Sequence, residues 1–287
     1  MRRVVTLPDS GRLIVGTDLQ GNVGDFEAIE RVFESAAKDP RGAVLVLTGD
    51  LVHGPEIPSA DWPEHLGSYY HGDSATVLRR AHALAARHPG RVHYLLGNHE
   101  HSHVGGPVVS KFFPNEAERL EELLGPHDAV KMCDWIRTWP LVAYAPAAGL
   151  VMLHAAPHAQ IESAADLEAL PLDEEVSGVP AELDARTILL SLLWARTTSE
   201  ERARAFLRAI GPEMRVAVYG HDVARGGYAI DTEPLLCVST SFGCFDGDKM
   251  YLDWDLAVRP TSAAAVARDG LKLLYPEAAP VHRAPLP

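Results

Sequence analysis

Cysteine is scarce in this chain. Cys133, Cys237 and Cys244 are three in 287 residues, an odd count with no CxxC pair, which excludes a disulfide framework and a zinc finger. Long apolar runs are missing too, since no stretch of about 18 apolar residues exists to span a bilayer. At the N-terminus, Met1-Arg2-Arg3-Val4-Val5 meets Pro8, Asp9 and Ser10 before a signal-peptide core can form. Basic residues are in deficit: 26 Lys and Arg against 39 Asp and Glu give a formal net charge of -13. That field repels polyanions and argues against extended nucleic acid as a partner. A small phosphoester, or a phosphorylated segment of a protein, is still admitted, because bound cations would dominate the field inside a cleft. These absences predict a cytoplasmic protein with reduced thiols and no membrane segment.

The remaining composition is that of an ordinary globular protein, 47% apolar and 23% charged. Its first half repeats one plan, an apolar strand that ends in polar residues and is followed by a helix. Leu13-Ile14-Val15-Gly16 runs into Thr17-Asp18-Leu19-Gln20-Gly21-Asn22, after which Phe26, Ile29, Val32 and Phe33 recur at helical spacing with Asp25 as the expected N-cap. Ala43 to Leu47 ends in Thr48-Gly49-Asp50, and a helix is expected over Val77 to His88, closed by Pro89-Gly90. The strand Val92 to Leu96 then delivers Gly97-Asn98-His99-Glu100. Right-handed crossovers gather such strand ends along one sheet edge.

Further helices are expected over residues 116–124, 128–138, 182–194 and 200–210. Strands are expected at 141–145, at 150–153 ending in His154, and at 216–219 ending in Gly220-His221, with others at 228–231, 235–238 and 249–255. Parallel units first and antiparallel strands later predict an α/β fold of two stacked sheets flanked by helices. From Arg259 onward the chain is rich in Ala and Pro and lacks a periodic apolar face. One domain over 1–258 and a loosely attached tail over 259–287 are expected.

The strand-end polar residues form one set: Asp18, Gln20, Asp50, Asn98, His99, His154 and His221. All but Gln20 and His99 are standard oxygen or nitrogen ligands for two divalent cations that share Asp50. Two cations about 3.5 to 4 Å apart can clamp a phosphate and activate water. His99, beside a ligand, is placed to protonate a leaving oxygen, a contribution of about 10²–10⁴ in rate. Taken singly, each residue has a plainer reading as a helix cap or a strand-end histidine. By the same plain reading His53 is a loop residue, and His101 and His103 form a mobile, solvated rim. Trp62, Tyr69 and Tyr70 either line a cleft mouth or anchor their loop.

In ordered motifs the chain resembles the calcineurin-like metallophosphoesterases, and within them the phosphoprotein phosphatase branch, which includes serine/threonine phosphatases and symmetrical diadenosine tetraphosphate hydrolases. DxHG stands as Asp18-Leu19-Gln20-Gly21, GDxxDRG as Gly49-Asp50-Leu51-Val52-His53-Gly54, and GNHE as Gly97-Asn98-His99-Glu100. His154-Ala155-Ala156 and Gly220-His221 stand for HGG and GH, and Leu192-Leu193-Trp194 also looks like that branch. The resemblance covers roughly residues 12 to 256 and implies the four-layer α/β/β/α fold.

By that resemblance Asp18, Gln20 and Asp50 hold one metal, and Asp50, Asn98, His154 and His221 the other. Mn is the first choice, with Fe, Zn or Mg as alternatives. His99 is the general acid for attack by metal-activated hydroxide. The implied activity is hydrolysis of phosphomonoesters, with phosphoserine or phosphothreonine in proteins as the family-led substrate. Alternatives are a nucleotide hydrolase of the diadenosine tetraphosphate type, or a phosphate-binding protein of the same fold with impaired catalysis. Two departures matter: Gln20 replaces the family's histidine, and His53-Gly54 replaces its Asp-Arg pair, removing an orienting carboxylate and a phosphate clamp. Arg196, Arg215 and Arg225 are candidates for the clamp, with Arg225, four residues past His221, preferred beside Asn98 as a phosphate contact.

Overall fold

Alternation within the apolar strands decides how the layers stack. The computed structural model describes residues 2–172, 188–283 and 286–287. Its first half contains β1 (Val4–Thr6), β2 (Arg12–Gly16), α1 (Val23–Ala36), β3 (Ala43–Leu47), α2 (Ser74–Arg87), β4 (Val92–Tyr94) and α3 (Asn98–His101). There follow α4 (Glu116–Leu124), α5 (Pro126–Ile136), β5 (Val142–Ala145), β6 (Leu150–Leu153), α6 (Ala164–Glu168), α7 (Ile188–Trp194) and α8 (Glu200–Ile210). The chain finishes with β7 (Val216–Tyr219), β8 (Tyr228–Ala229), β9 (Leu235–Val238), β10 (Met250–Asp255), α9 (Ala263–Gly270) and β11 (Leu271–Leu273). Residues 182–187 of the helix expected over 182–194 lie outside the described residues.

Two mixed sheets result, one ordered β1-β5-β6-β7-β9-β8 and the other β11-β10-β2-β3-β4. Successive side chains of a strand face opposite sides, and here both sides are apolar. Leu13, Val15, Val44 and Val46 pack with Leu150, Met152, Val216, Val218, Leu236 and Val238 between the sheets. Ile14, Leu45 and Leu47 belong instead to the cluster that holds Phe26, Ile29 and Phe33 of α1. The order helix, sheet, sheet, helix is the four-layer arrangement expected from the strand pattern and the motifs.

Several expectations are corrected. Asn22, not Asp25, caps α1: its side-chain oxygen accepts from the Asp25 N–H at 3.1 Å. The late strands are not uniformly antiparallel, because β6, β7 and β9 run parallel. The segment after 258 is not a loose tail. Ala263, Val266 and Ala267 of α9 are fully buried, and β11 is the edge strand paired antiparallel with β10. Its alanines gave no large apolar face to read, yet small residues are what let a helix pack closely on Trp254. Beyond it, backbone N–H groups of Val281, His282 and Arg283 donate to Asp248.

Candidate active site

Five strand ends meet at one place. Asp18 follows β2, Asp50 follows β3, Asn98 lies past β4, His154 follows β6 and His221 lies just past β7. Backbone bonds lace the first two loops together, with Gln20 N–H donating to the Asp50 carbonyl at 2.8 Å and Gly21 N–H to that of Leu51 at 2.7 Å. Glu100 fixes the third. Its carboxylate accepts from the backbone N–H groups of Gly97, Asp50, Leu51 and Val52. A Cβ at Gly97 would lie 2.4 Å from Asp50 Oδ1, so only glycine lets these loops touch. Among the described residues, the non-glycine residues with left-handed backbone are Asp18, Gln20, Asp50, His53 and His221, with φ from 40 to 67°. Such conformations persist where the surroundings over-determine them.

His154 is the centre of the tighter cluster. Its Nδ1 faces the Thr48 carbonyl at 2.9 Å, an acceptor only, so Nδ1 carries the proton and Nε2 a lone pair. That Nε2 lies 2.9 Å from Asn98 Oδ1, 3.1 Å from His221 Nδ1 and 3.4 Å from Asp50 Oδ1. Burial holds His154 below the usual imidazole range, so its Nε2 offers a lone pair to the space it shares with Asn98 Oδ1, Asp50 Oδ1 and His221 Nδ1. Lone pairs converge in this way where a cation is to be held. Burial pushes Asp50 up to about 7; burial, then the charge of Asp50, does the same to Asp18. Asp18 is tied back by the His221 N–H, at 2.9 and 3.1 Å from its two oxygens.

The Asp18–Gln20–Asp50 side is different. Gln20 Oε1 accepts from the Lys111 ammonium at 2.9 Å. Burial lowers Lys111 to about 8, against the opposing pull of Asp50 and Asp18. Lys111 and Arg196 line a cavity of about 520 Å³ together with Gln20, Asp50, Asn98, His99, Trp194 and His221.

His99 sits at the head of a relay. Its Nδ1 is 3.1 Å from His53 Nδ1, His53 Nε2 is 2.9 Å from His103 Nε2, and His103 Nδ1 is 3.0 Å from Glu121 Oε1. His103 holds Glu121 below the usual carboxylate range, hence ionised and acceptor only. With all three imidazoles neutral, the protons run one way. His103 donates to Glu121, His53 to His103, and His99 Nδ1 to His53, which leaves His99 Nε2 toward Asp50 Oδ2, 3.7 Å away. Burial, and then the neighbouring imidazole, holds both His53 and His99 well below the usual range.

Residues 11–225 match the family model described as calcineurin-like phosphoesterase. The chain belongs to that family. It is 29% identical over 133 residues to a symmetrical bis(5'-nucleosyl)-tetraphosphatase of Aeromonas hydrophila, a match covering 46% of this chain and 41% of that relative. The chain thus spans about two-fifths of the curated relative's length. In fold it is similar to a protein serine/threonine phosphatase from Saccharomyces cerevisiae, with TM-score 0.55, 15% identity, 88% of this chain and 76% of that one. A cold-active protein-tyrosine phosphatase of a Shewanella species is comparably alike, with TM-score 0.54, 17% identity, and coverage of 88% and 77%.

Calcineurin-like phosphoesterases generally bind two divalent cations. The residues for one fit: Asp50, His154 and His221 converge closely enough to share an ion, and Asn98 Oδ1 joins them. For the other they do not, because the oxygen Gln20 would offer is taken by Lys111. Arg225 is exposed and is not among the residues lining the cavity, whereas Arg196 is. An arginine in place of Gly54 is excluded, since a Cβ there would lie 2.0 Å from the Gln20 carbonyl oxygen. His53 is no plain loop residue, and His101 and His103 are buried rather than a solvated rim. Tyr70 donates to the Gln20 carbonyl at 3.0 Å and Trp62 packs edge-on against Tyr69 and Tyr70, so that loop is anchored. Sequence reading missed Lys111 entirely; a lone lysine beside Phe112-Phe113 in an otherwise unassigned stretch was its only signal.

Proposed function

We propose that this phosphoesterase hydrolyses phosphoric monoesters in the cleft between Asp50, Lys111 and His221. The observation that supports it best is the convergence of lone pairs from Asp50, Asn98, His154 and His221 beside a His99 whose Nε2 is steered toward the same carboxylate. Those four would hold a divalent cation, and a mixed oxygen and nitrogen donor set suits manganese. When bound, such a cation supplies Lewis acidity toward a phosphoryl oxygen and toward water. The chain does the rest. Lys111 and Arg196 draw the phosphate in and orient it. A phosphate dianion raises the basicity of His99 against the effect of burial, so that Nε2 carries a proton to the leaving alkoxide.

A phosphoserine or phosphothreonine side chain meets these requirements and fits an open cleft. The relative named as a bis(5'-nucleosyl)-tetraphosphatase favours a second reading, in which a dinucleoside polyphosphate occupies the same cavity. Parallel assays of chelator-stripped protein titrated with Mn²⁺, on a phosphopeptide, a dinucleoside tetraphosphate and p-nitrophenyl phosphate, separate the two. Mn²⁺-dependent turnover of the phosphopeptide is expected. Turnover of the dinucleotide alone would move the second reading to first place, and binding of phosphate without turnover of any ester would leave only a binding protein.

A further inference from the structure

Lys111 stands where a second cation would have to bind. Its ammonium takes the neutral oxygen of the Asp18–Gln20–Asp50 trio, the Gln20 Oε1 at 2.9 Å. It is held from three sides. Its backbone N–H donates to Glu116 at 3.1 Å, its Nζ lies 3.6 Å from the Phe242 ring centroid, and Phe242 in turn donates its N–H to the Asp18 carbonyl at 3.1 Å. A cation over an aromatic face in a desolvated site is attracted by the ring quadrupole, so the lysine is placed there even before substrate arrives.

We infer that the cleft binds one divalent cation, at Asp50, Asn98, His154 and His221, and that the Lys111 ammonium, seated on Gln20, replaces the second. The inference rests on the reading of those four residues as a cation site. Two buried carboxylates, Asp18 and Asp50, need positive charge nearby to remain ionised. One divalent cation on the Asp50 side and one ammonium on the Gln20 side supply it. Gln20 and Lys111 explain each other: an amide oxygen is a weak metal ligand but a good acceptor for an ammonium, which has three donors and no lone pair. Lys111 then meets an incoming phosphate as a compact point charge, and no Lewis acid acts from that side.

The test is a count of bound metal. Chelator-stripped wild-type chain, Lys111→Met and Lys111→Ala/Gln20→His are equilibrated with Mn²⁺. Manganese per chain is measured by plasma mass spectrometry and electron paramagnetic resonance. Wild type is expected to hold one Mn²⁺ with the six-line spectrum of an isolated ion. The double variant is expected to hold two with a spin-coupled spectrum. Lys111→Met, which keeps the stem on Phe242, should show a second, weaker equivalent and serves if the double variant does not fold. Two Mn²⁺ in wild type would overturn the inference and leave the four-residue site standing. A count of one in all three proteins would also overturn it, since Lys111 would not be what keeps the second ion out. No Mn²⁺ in wild type would remove the four-residue site itself and the inference with it.

Discussion

His53 Nδ1 lies 3.1 Å from His99 Nδ1, and this contact determines which nitrogen of His99 faces the cleft. Partners that orient a working imidazole contribute about 10–100-fold. His53→Ala should therefore lower kcat by that factor with little change in KM. His53→Asp, which can accept the same Nδ1 proton directly, should recover most of the loss. Steady-state kinetics on an alkyl phosphate, whose leaving group needs the proton, give both values, and an alanine variant with altered KM and normal kcat would contradict the relay.

Removing the acid should matter most where the leaving group is poor. His99→Ala is expected to lose about 10²–10⁴ in kcat on an alkyl phosphate. On p-nitrophenyl phosphate, whose phenolate departs without a proton, it should lose much less. Equal losses on both esters would assign His99 to binding.

Arg196 and Arg225 should behave differently. Arg196 lines the cavity and is held by Asp222 at 2.7 Å. A hydrogen bond to a charged group contributes about 1.5–3 kcal/mol, and the side chain is 59% exposed, so the lower end applies. Arg196→Ala should raise KM about tenfold, and Arg225→Ala should change it less than twofold. The reverse order would restore Arg225 as the clamp.

Stability should respond to acid through His53. Burial first, and then His103, holds its folded pKa below the ordinary 6.5, so on acidification the unfolded chain takes the proton first. The contribution of a neutral His53 is complete above pH 6.5 and is lost below it, at about 1.4 kcal/mol per pH unit. Thermal melts of metal-free protein between pH 7.5 and 5.5 should therefore fall less steeply for His53→Asn than for wild type. Asp18 and Asp50, raised to about 7, act in the opposite sense. Their contribution is present below about pH 4 and lost as pH rises toward 7, so added Mn²⁺ should raise Tm most above pH 7.

Truncation before Ala263 removes α9 and β11. Val266 and Leu271 are buried against the sheet, and each such side chain contributes about 1.5–3 kcal/mol. The shortened chain should be insoluble or melt well below the full one, an outcome that a dispensable tail would not give.

The layers and the strand ends were legible because both are written in short range. Five apolar runs each end in a residue type that can bind metal, and β3, β6, β7 and β9 fall on the residues the apolar pattern marks. What escaped depends on contacts across many residues. Lys111 reaches Gln20 over 91 positions and His103 reaches His53 over 50, so nothing local distinguishes them from surface residues. Arg225 was preferred for its nearness in sequence to His221, yet the turn carries its side chain outward. The α9 segment escaped because alanine gives a helix little apolar contrast.

The left-handed backbone at Asp18, Gln20, Asp50, His53 and His221 also affects how this protein ages under selection. Each such residue costs about 1–3 kcal/mol that glycine would not. Selection for heat resistance without selection for turnover should therefore accumulate glycines at these five positions first. A hardier descendant would keep every layer of the fold and lose its chemistry, so melting temperature alone is a misleading guide when choosing among its variants.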